Sequence, residues 1–208
     1  MNKILMWVLI VIGVLVLVTA GLFVFTASTV RIEKPAVYLY PQEDSLINVQ
    51  LSINGKITQT IPKYGKGWNV FVSKEGIIDG EYDYLFYEAD LNKLRLPKTG
   101  WVVSYNDLNK WFDINLLKLG LNEKEKAQFK EYWMGRLPKA NYYEIKILEN
   151  NFLKENMDLL ITPAPNTLIR LNFYFKPLNE KKSMTEPTIR TPQRKGFTVV
   201  EWGGMVAN

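Results

Sequence analysis

Hydrophobic and polar positions follow three different rhythms along this chain, and the changes between them predict its organisation. From Ile4 to Phe25 no charged residue occurs, and Leu, Val, Ile, Phe and Trp dominate. A helix rising 1.5 Å per residue needs about 20 such residues to cross roughly 30 Å of hydrocarbon. The run is longer than the apolar core of an export signal. The pattern predicts a short tail at 1–3, a transmembrane anchor at 4–26, a spacer at 27–35 and one extracytoplasmic domain at 36–208. The alternatives are a signal cleaved after Ala20 and a buried soluble helix. Lys3 on one side and Arg31 and Lys34 on the other nearly balance the positive-inside count. Orientation therefore rests on the very short tail before the apolar run, which resembles an export signal.

A period of two then takes over. Ala36 to Tyr40 reads as a first strand ended by Pro41. Ile47, Val49, Leu51 and Ile53 alternate with Asn48, Gln50 and Ser52, as a strand with one buried face does. Asn54-Gly55 predicts a tight hairpin turn into a return strand carrying Ile57 and Ile61. Strands are also expected at 67–72, with Trp68, Val70 and Val72 on one face, at 82–88 and at 101–105, all in an antiparallel meander.

The third rhythm begins at Asn106. Leu108, Trp111, Phe112, Leu116 and Leu119 recur every three or four residues, which predicts an amphipathic helix ending at Gly120. Asn122 and Glu125 form a capping-box signature for a second helix carrying Phe129, Trp133 and Leu137. Strand periodicity returns at 143–147, 159–162, 169–175 and 196–202, with Pro163 and Pro165 setting the second of these at an edge or turn. A Pro-rich polar stretch at 177–195 predicts a long exposed connection. The expected class is α+β: a mainly antiparallel sheet, sandwich-like, with an inserted helical hairpin, behind one transmembrane helix.

Composition narrows the chemistry. The chain has neither cysteine nor histidine, which removes thiolate nucleophiles, disulfides, histidine general bases and the usual zinc sites. No phosphate-cradling loop, calcium loop or metal pattern is present, so neither metal nor cofactor is expected. Much of the net charge of +5 sits in and just before the 177–195 stretch, where Lys176, Lys181, Lys182, Arg190, Arg194 and Lys195 face only Glu180 and Glu186. That distribution predicts a solvated linker and no nucleic-acid partner.

Three stretches, Lys34-Pro-Ala-Val-Tyr-Leu-Tyr-Pro41, Pro62-Lys-Tyr-Gly-Lys-Gly-Trp68 leading to Tyr84-Leu-Phe-Tyr-Glu88, and Gly196-Phe-Thr-Val-Val-Glu-Trp-Gly-Gly204, resemble a family of uncharacterised, mainly Gram-positive bacterial proteins. Its members are exported or membrane-anchored, and similar chains often carry Trp where this one has Tyr87. The resemblance implies an extracytoplasmic setting and a domain running to the C-terminus, with no activity attached.

Acids among aromatics are the best candidates for chemistry: Glu88 after Tyr84 to Tyr87, Glu131 before Tyr132-Trp133, and Glu201 before Trp202. Glycoside-cleaving sites use paired carboxylates beside aromatic platforms. Glu88 and Glu201 are thus the catalytic candidates, with Trp68, Tyr87, Trp101 and Trp202 as ligand-binding rings. Against this, strand glutamates usually face solvent while neighbouring rings fill the core. The preferred expectation is a binding or interaction module at the cell envelope, its partners the bilayer through 4–26 and a cell-wall glycan or surface protein. A carbohydrate-active hydrolase is the alternative.

Overall fold

The computed structural model describes residues 29–207. In chain order these form β1 (Val30–Tyr40), β2 (Ser45–Ile53), β3 (Gly55–Ile61), β4 (Trp68–Val72), β5 (Leu85–Leu91) and β6 (Trp101–Ser104). Helices α1 (Tyr105–Lys118) and α2 (Glu123–Arg136) follow, then β7 (Tyr142–Ile147), α3 (Asn150–Asn156), β8 (Met157–Thr162), β9 (Thr167–Leu178) and β10 (Thr198–Val206). One sheet has the order β3-β5-β1-β10-β9-β7-β6 and a second has the order β4-β2-β8.

The expected α+β class is corrected: the described residues are mostly β, with 44% strand and 20% helix in two sheets and three helices. Strands run longer than their periodic cores suggest. β1 begins at Val30, inside what reads as a spacer, and β5 is shifted toward the C-terminus of the expected 82–88. Among the described residues no helix is long and apolar enough to cross a membrane. The expected anchor at 4–26, with its bilayer contact, lies outside the described residues.

Alternating residues of the large sheet feed two separate cores. Val37, Leu39, Leu85, Tyr87 and Val199 face the small sheet and α3. Ala36, Tyr38, Phe173, Phe175, Val200 and Trp202 face the α1–α2 hairpin. That hairpin follows its sequence signals closely. Asn122 accepts from the Glu125 amide while Glu125 caps in return, and Phe129 and Trp133 are fully buried. The Phe129 ring lies 5.3 Å from Phe112, 5.0 Å from Phe173 and 5.3 Å from Trp202, edge to face in each case. Such pairs each add about 0.5–1.5 kcal/mol beyond burial.

Two topological expectations fail. β2 and β3 are not a hairpin: β2 pairs with β4 and β8, whereas β3 pairs with β5 in the other sheet. Asn54-Gly55 is a corner between sheets, and a Cβ on Gly55 would lie 1.9 Å from the Asp90 carbonyl oxygen. Only glycine permits that approach of β3 to β5. The meander fails as well: β1 and β3 both pair with β5, β4 pairs with β2 in the other sheet, and β6 pairs with β7, while β10 inserts between β1 and β9, running parallel to β9. The connection after β9 is irregular and largely exposed. It is pinned near its end, where Arg194 forks onto buried Glu125 at 2.8 and 2.9 Å.

Candidate functional site

β1 carries an irregularity where Lys34 and Pro35 meet. Ile32 pairs with Ala89 and Ala36 with Phe86, four residues against three, so β1 holds one extra residue. This bulge sets both Glu33 and Lys34 on the α2 side of the sheet. Lys34 takes a positive φ of 56°. Behind the bulge β10 passes so closely that a Cβ on Gly203 would lie 2.9 Å from Pro35 Cα. On Gly204 it would lie 2.6 Å from the Phe173 carbonyl oxygen and 2.9 Å from the Trp133 ring. The paired glycines are therefore required by packing.

In front of the bulge lies an open groove of about 540 Å³ between β3, the approach to β5, and α2. Lys34 Nζ donates to Tyr84 Oη at 2.8 Å. It sits 4.8 Å from the ring centres of both Tyr84 and Phe86 and 5.8 Å from that of Tyr132. Gln59 and Ile61 from β3, Glu81, Tyr82 and Asp83 from the β5 approach, Glu88, and Gln128 from α2 complete the lining. Burial, and then the nearby Glu33 and Glu88 charges, push the Tyr132 phenol up to about 12. It stays a neutral ring at any physiological pH.

Most acids around the groove have a partner. Arg31 meets Glu88 at 3.0 Å, Lys124 meets Asp83 at 2.6 Å, and Arg136 forks onto Glu33 at 2.5 and 2.6 Å. The Lys124 contact holds the Asp83 carboxyl below its ordinary range. Glu81 stands exposed at the rim. Lys34 is different, since among the described residues it makes no carboxylate contact within 4.0 Å and its ammonium spends one donor, on Tyr84.

The sequence candidates lie elsewhere, with one exception. Trp68, Tyr87, Trp101 and Trp202 are 2, 0, 4 and 0% exposed, so all four rings are core. Glu201 is also fully buried. Its carboxylate accepts from Tyr87 Oη at 2.6 Å, Arg170 Nε at 2.7 Å and Asn172 Nδ2 at 2.9 Å, and Arg170 further donates to the Met157 carbonyl. Because Tyr87 and Glu88 are successive strand residues, they point to opposite faces. Glu201 shares the Tyr87 face while Glu88 lines the groove, so the structure does not bring the two carboxylates together. Glu131 is exposed on α2. Among the described residues no cluster of three acids could hold a metal.

Lys34 and Tyr132 were not singled out by acid-and-aromatic reasoning. A signal for Lys34 did exist, because two of the three resemblance stretches meet here: Lys34-Pro35 from the first and Tyr84 to Glu88 from the second. The third supplies the glycines behind them.

No known family model matches the chain, and no solved structure matches it. It is similar to the "Uncharacterized protein in bglA 3'region" of Butyrivibrio fibrisolvens, with 49% identity over 63 residues. The match covers 27% of this chain and 66% of that relative, so the chain spans just under two thirds of the relative's length.

Proposed function

We propose that this protein is a ligand-binding module whose binding surface is the groove between β3, β5 and α2. The observation that carries the reading is Lys34, a half-buried cation held among three aromatic rings with no carboxylate partner among the described residues, opening on a groove large enough for part of a ligand. Aromatic faces and a few convergent polar groups are what small-molecule and glycan sites use. Hydrolytic chemistry has less support. The two candidate carboxylates face opposite sides of one sheet, and each is held by an arginine. The proposal includes a setting outside the cytoplasm, suggested by the sequence at 4–26. Protease treatment of intact cells tests it, and a domain cut only after lysis contradicts it.

The binding reading is tested by screening the protein against glycan and peptide arrays while assaying the same glycans for turnover. Binding without turnover, weakened by Tyr84→Ala or Tyr132→Ala, is the expected result. Turnover of any glycan, or binding indifferent to both substitutions, overturns it.

A further inference from the structure

The chemistry of the groove narrows its occupant, and this step rests on the binding reading above. An ammonium has three N–H donors. Among the described residues Lys34 uses one, on Tyr84 Oη, leaving two directions without a protein acceptor. A partly desolvated cation with free donors is the complement of a carboxylate, since charge-assisted hydrogen bonds are shorter and stronger than neutral ones. The rings of Tyr84, Phe86 and Tyr132 already hold one cation, so a quaternary ammonium ligand finds the box filled.

What carries the carboxylate follows from the rest of the lining. Gln59 and Glu88 present side-chain oxygens and an amide within the same groove, beside the aromatic faces. Polar partners for hydroxyls beside ring faces suit a sugar chain. Acids nonetheless cluster at the groove, with Glu88 and Asp83 each neutralised by one cation and Glu81 exposed at the rim without a salt bridge among the described residues. A polymer charged at every unit would be repelled there, whereas a single carboxylate between neutral rings would not. We infer that the groove recognises a glycan bearing isolated carboxylates on otherwise neutral sugar units, with Lys34 taking the carboxylate.

The test is calorimetric titration of the full chain with three oligosaccharides of matched length. These are a peptide-free strand of alternating N-acetylglucosamine and N-acetylmuramic acid, a chitooligosaccharide lacking the lactyl carboxylate, and an oligogalacturonate charged at every ring. The alternating strand is expected to bind best, with the chitooligosaccharide weaker by about 10- to 100-fold, the worth of one charge-assisted contact. Lys34→Met, whose fold is checked by near-ultraviolet circular dichroism, should erase that difference, and Lys34→Arg should keep part of it. Equal binding of the alternating strand and the chitooligosaccharide, both weakened by Tyr132→Ala, overturns the carboxylate inference while leaving the groove as the binding surface. Preference for the oligogalacturonate overturns it too. Peptides binding in the groove while all three saccharides fail would also sink it, and no ligand of any class binding there would sink the groove reading as well.

Discussion

Two charged clusters lie on opposite faces of the same strand, and neighbouring residues of β5 belong to different ones. Tyr87 joins Glu201, Arg170 and Asn172 between the sheets, where Glu201 is fully buried and Arg170 nearly so. Phe86 and Glu88 join Lys34, Tyr84 and Tyr132 on the α2 side, at a groove. Both are charges among aromatics and are indistinguishable by composition. They differ in whether the charge is satisfied inside the protein. The Glu201 carboxylate accepts three hydrogen bonds, from Tyr87, Arg170 and Asn172, and has nothing left to offer a ligand. Lys34 keeps donors in reserve. The buried network satisfies its carboxylate inside the fold, though Asn172 Oδ1 has no partner among the described residues, and it helps specify the fold, whereas a cation with donors in reserve at the surface is available for recognition.

The contrast breaks first on stability. Glu201→Gln strands the Arg170 guanidinium between the sheets, and removing one partner of a buried pair costs about 3–5 kcal/mol. Urea denaturation should register that loss, and Glu201→Leu combined with Arg170→Met should recover only part of it, because Tyr87 Oη and Asn172 Nδ2 then lose their acceptor. A cost below about 1 kcal/mol for the single substitution, the range of an exposed pair, would mean the cluster is structurally idle. Next comes Gly204→Ala, which drives a methyl group into the Phe173 carbonyl and the Trp133 ring. Overpacking of this kind costs about 1–3 kcal/mol, read as a lower thermal midpoint. An unchanged midpoint would show that β10 has room to move away.

Tyr87→Phe sharpens the comparison through pH. It leaves one Glu201 oxygen without its donor, a loss of about 1.5 kcal/mol at neutral pH. Burial first, and then Glu201, pushes the Tyr87 phenol well above its ordinary value, and burial does the same to Tyr38 and Tyr40. Phenols of the unfolded chain ionise near pH 10. The stabilisation is therefore complete below about pH 10 and drains away as pH rises from there toward the folded values. Denaturation midpoints measured at increasing pH should fall above about 10 for the wild type. The fall should be shallower for Tyr87→Phe, and identical slopes would exclude Tyr87 from the network. The smallest effect belongs to the groove. Lys34→Met should change stability by no more than about 1 kcal/mol, because Lys34 is only half-buried and Met keeps the apolar contacts with the rings.

Local signals were legible in the sequence wherever one segment carries its own instructions. The capping box at Asn122 and Glu125 and the Trp68, Val70, Val72 face of β4 both hold as expected. What was not legible depends on partners distant in the chain. Asn54-Gly55 has the composition of a hairpin turn, yet Gly55 is fixed by its approach to Asp90, which no local pattern reveals. Residues 31 apart, Arg170 and Glu201 carry no mark of pairing beforehand. The short helix α3 was missed because its seven residues, Asn-Asn-Phe-Leu-Lys-Glu-Asn, hold less than two full turns of periodicity. At the candidate site, aromatic rings beside acids read equally well as core or as platform. Burial decided for core at Trp68, Tyr87, Trp101 and Trp202, while the groove instead uses Tyr84, Phe86 and Tyr132.

The division of labour between the two clusters is tested most directly by one paired measurement on Lys34→Met and Glu201→Gln: the urea midpoint of each, and its affinity for the alternating muramyl strand while folded. The account predicts a wild-type midpoint with lost binding for Lys34→Met, and a lowered midpoint with retained binding for Glu201→Gln. A Lys34→Met protein that binds normally but unfolds as early as Glu201→Gln would contradict it.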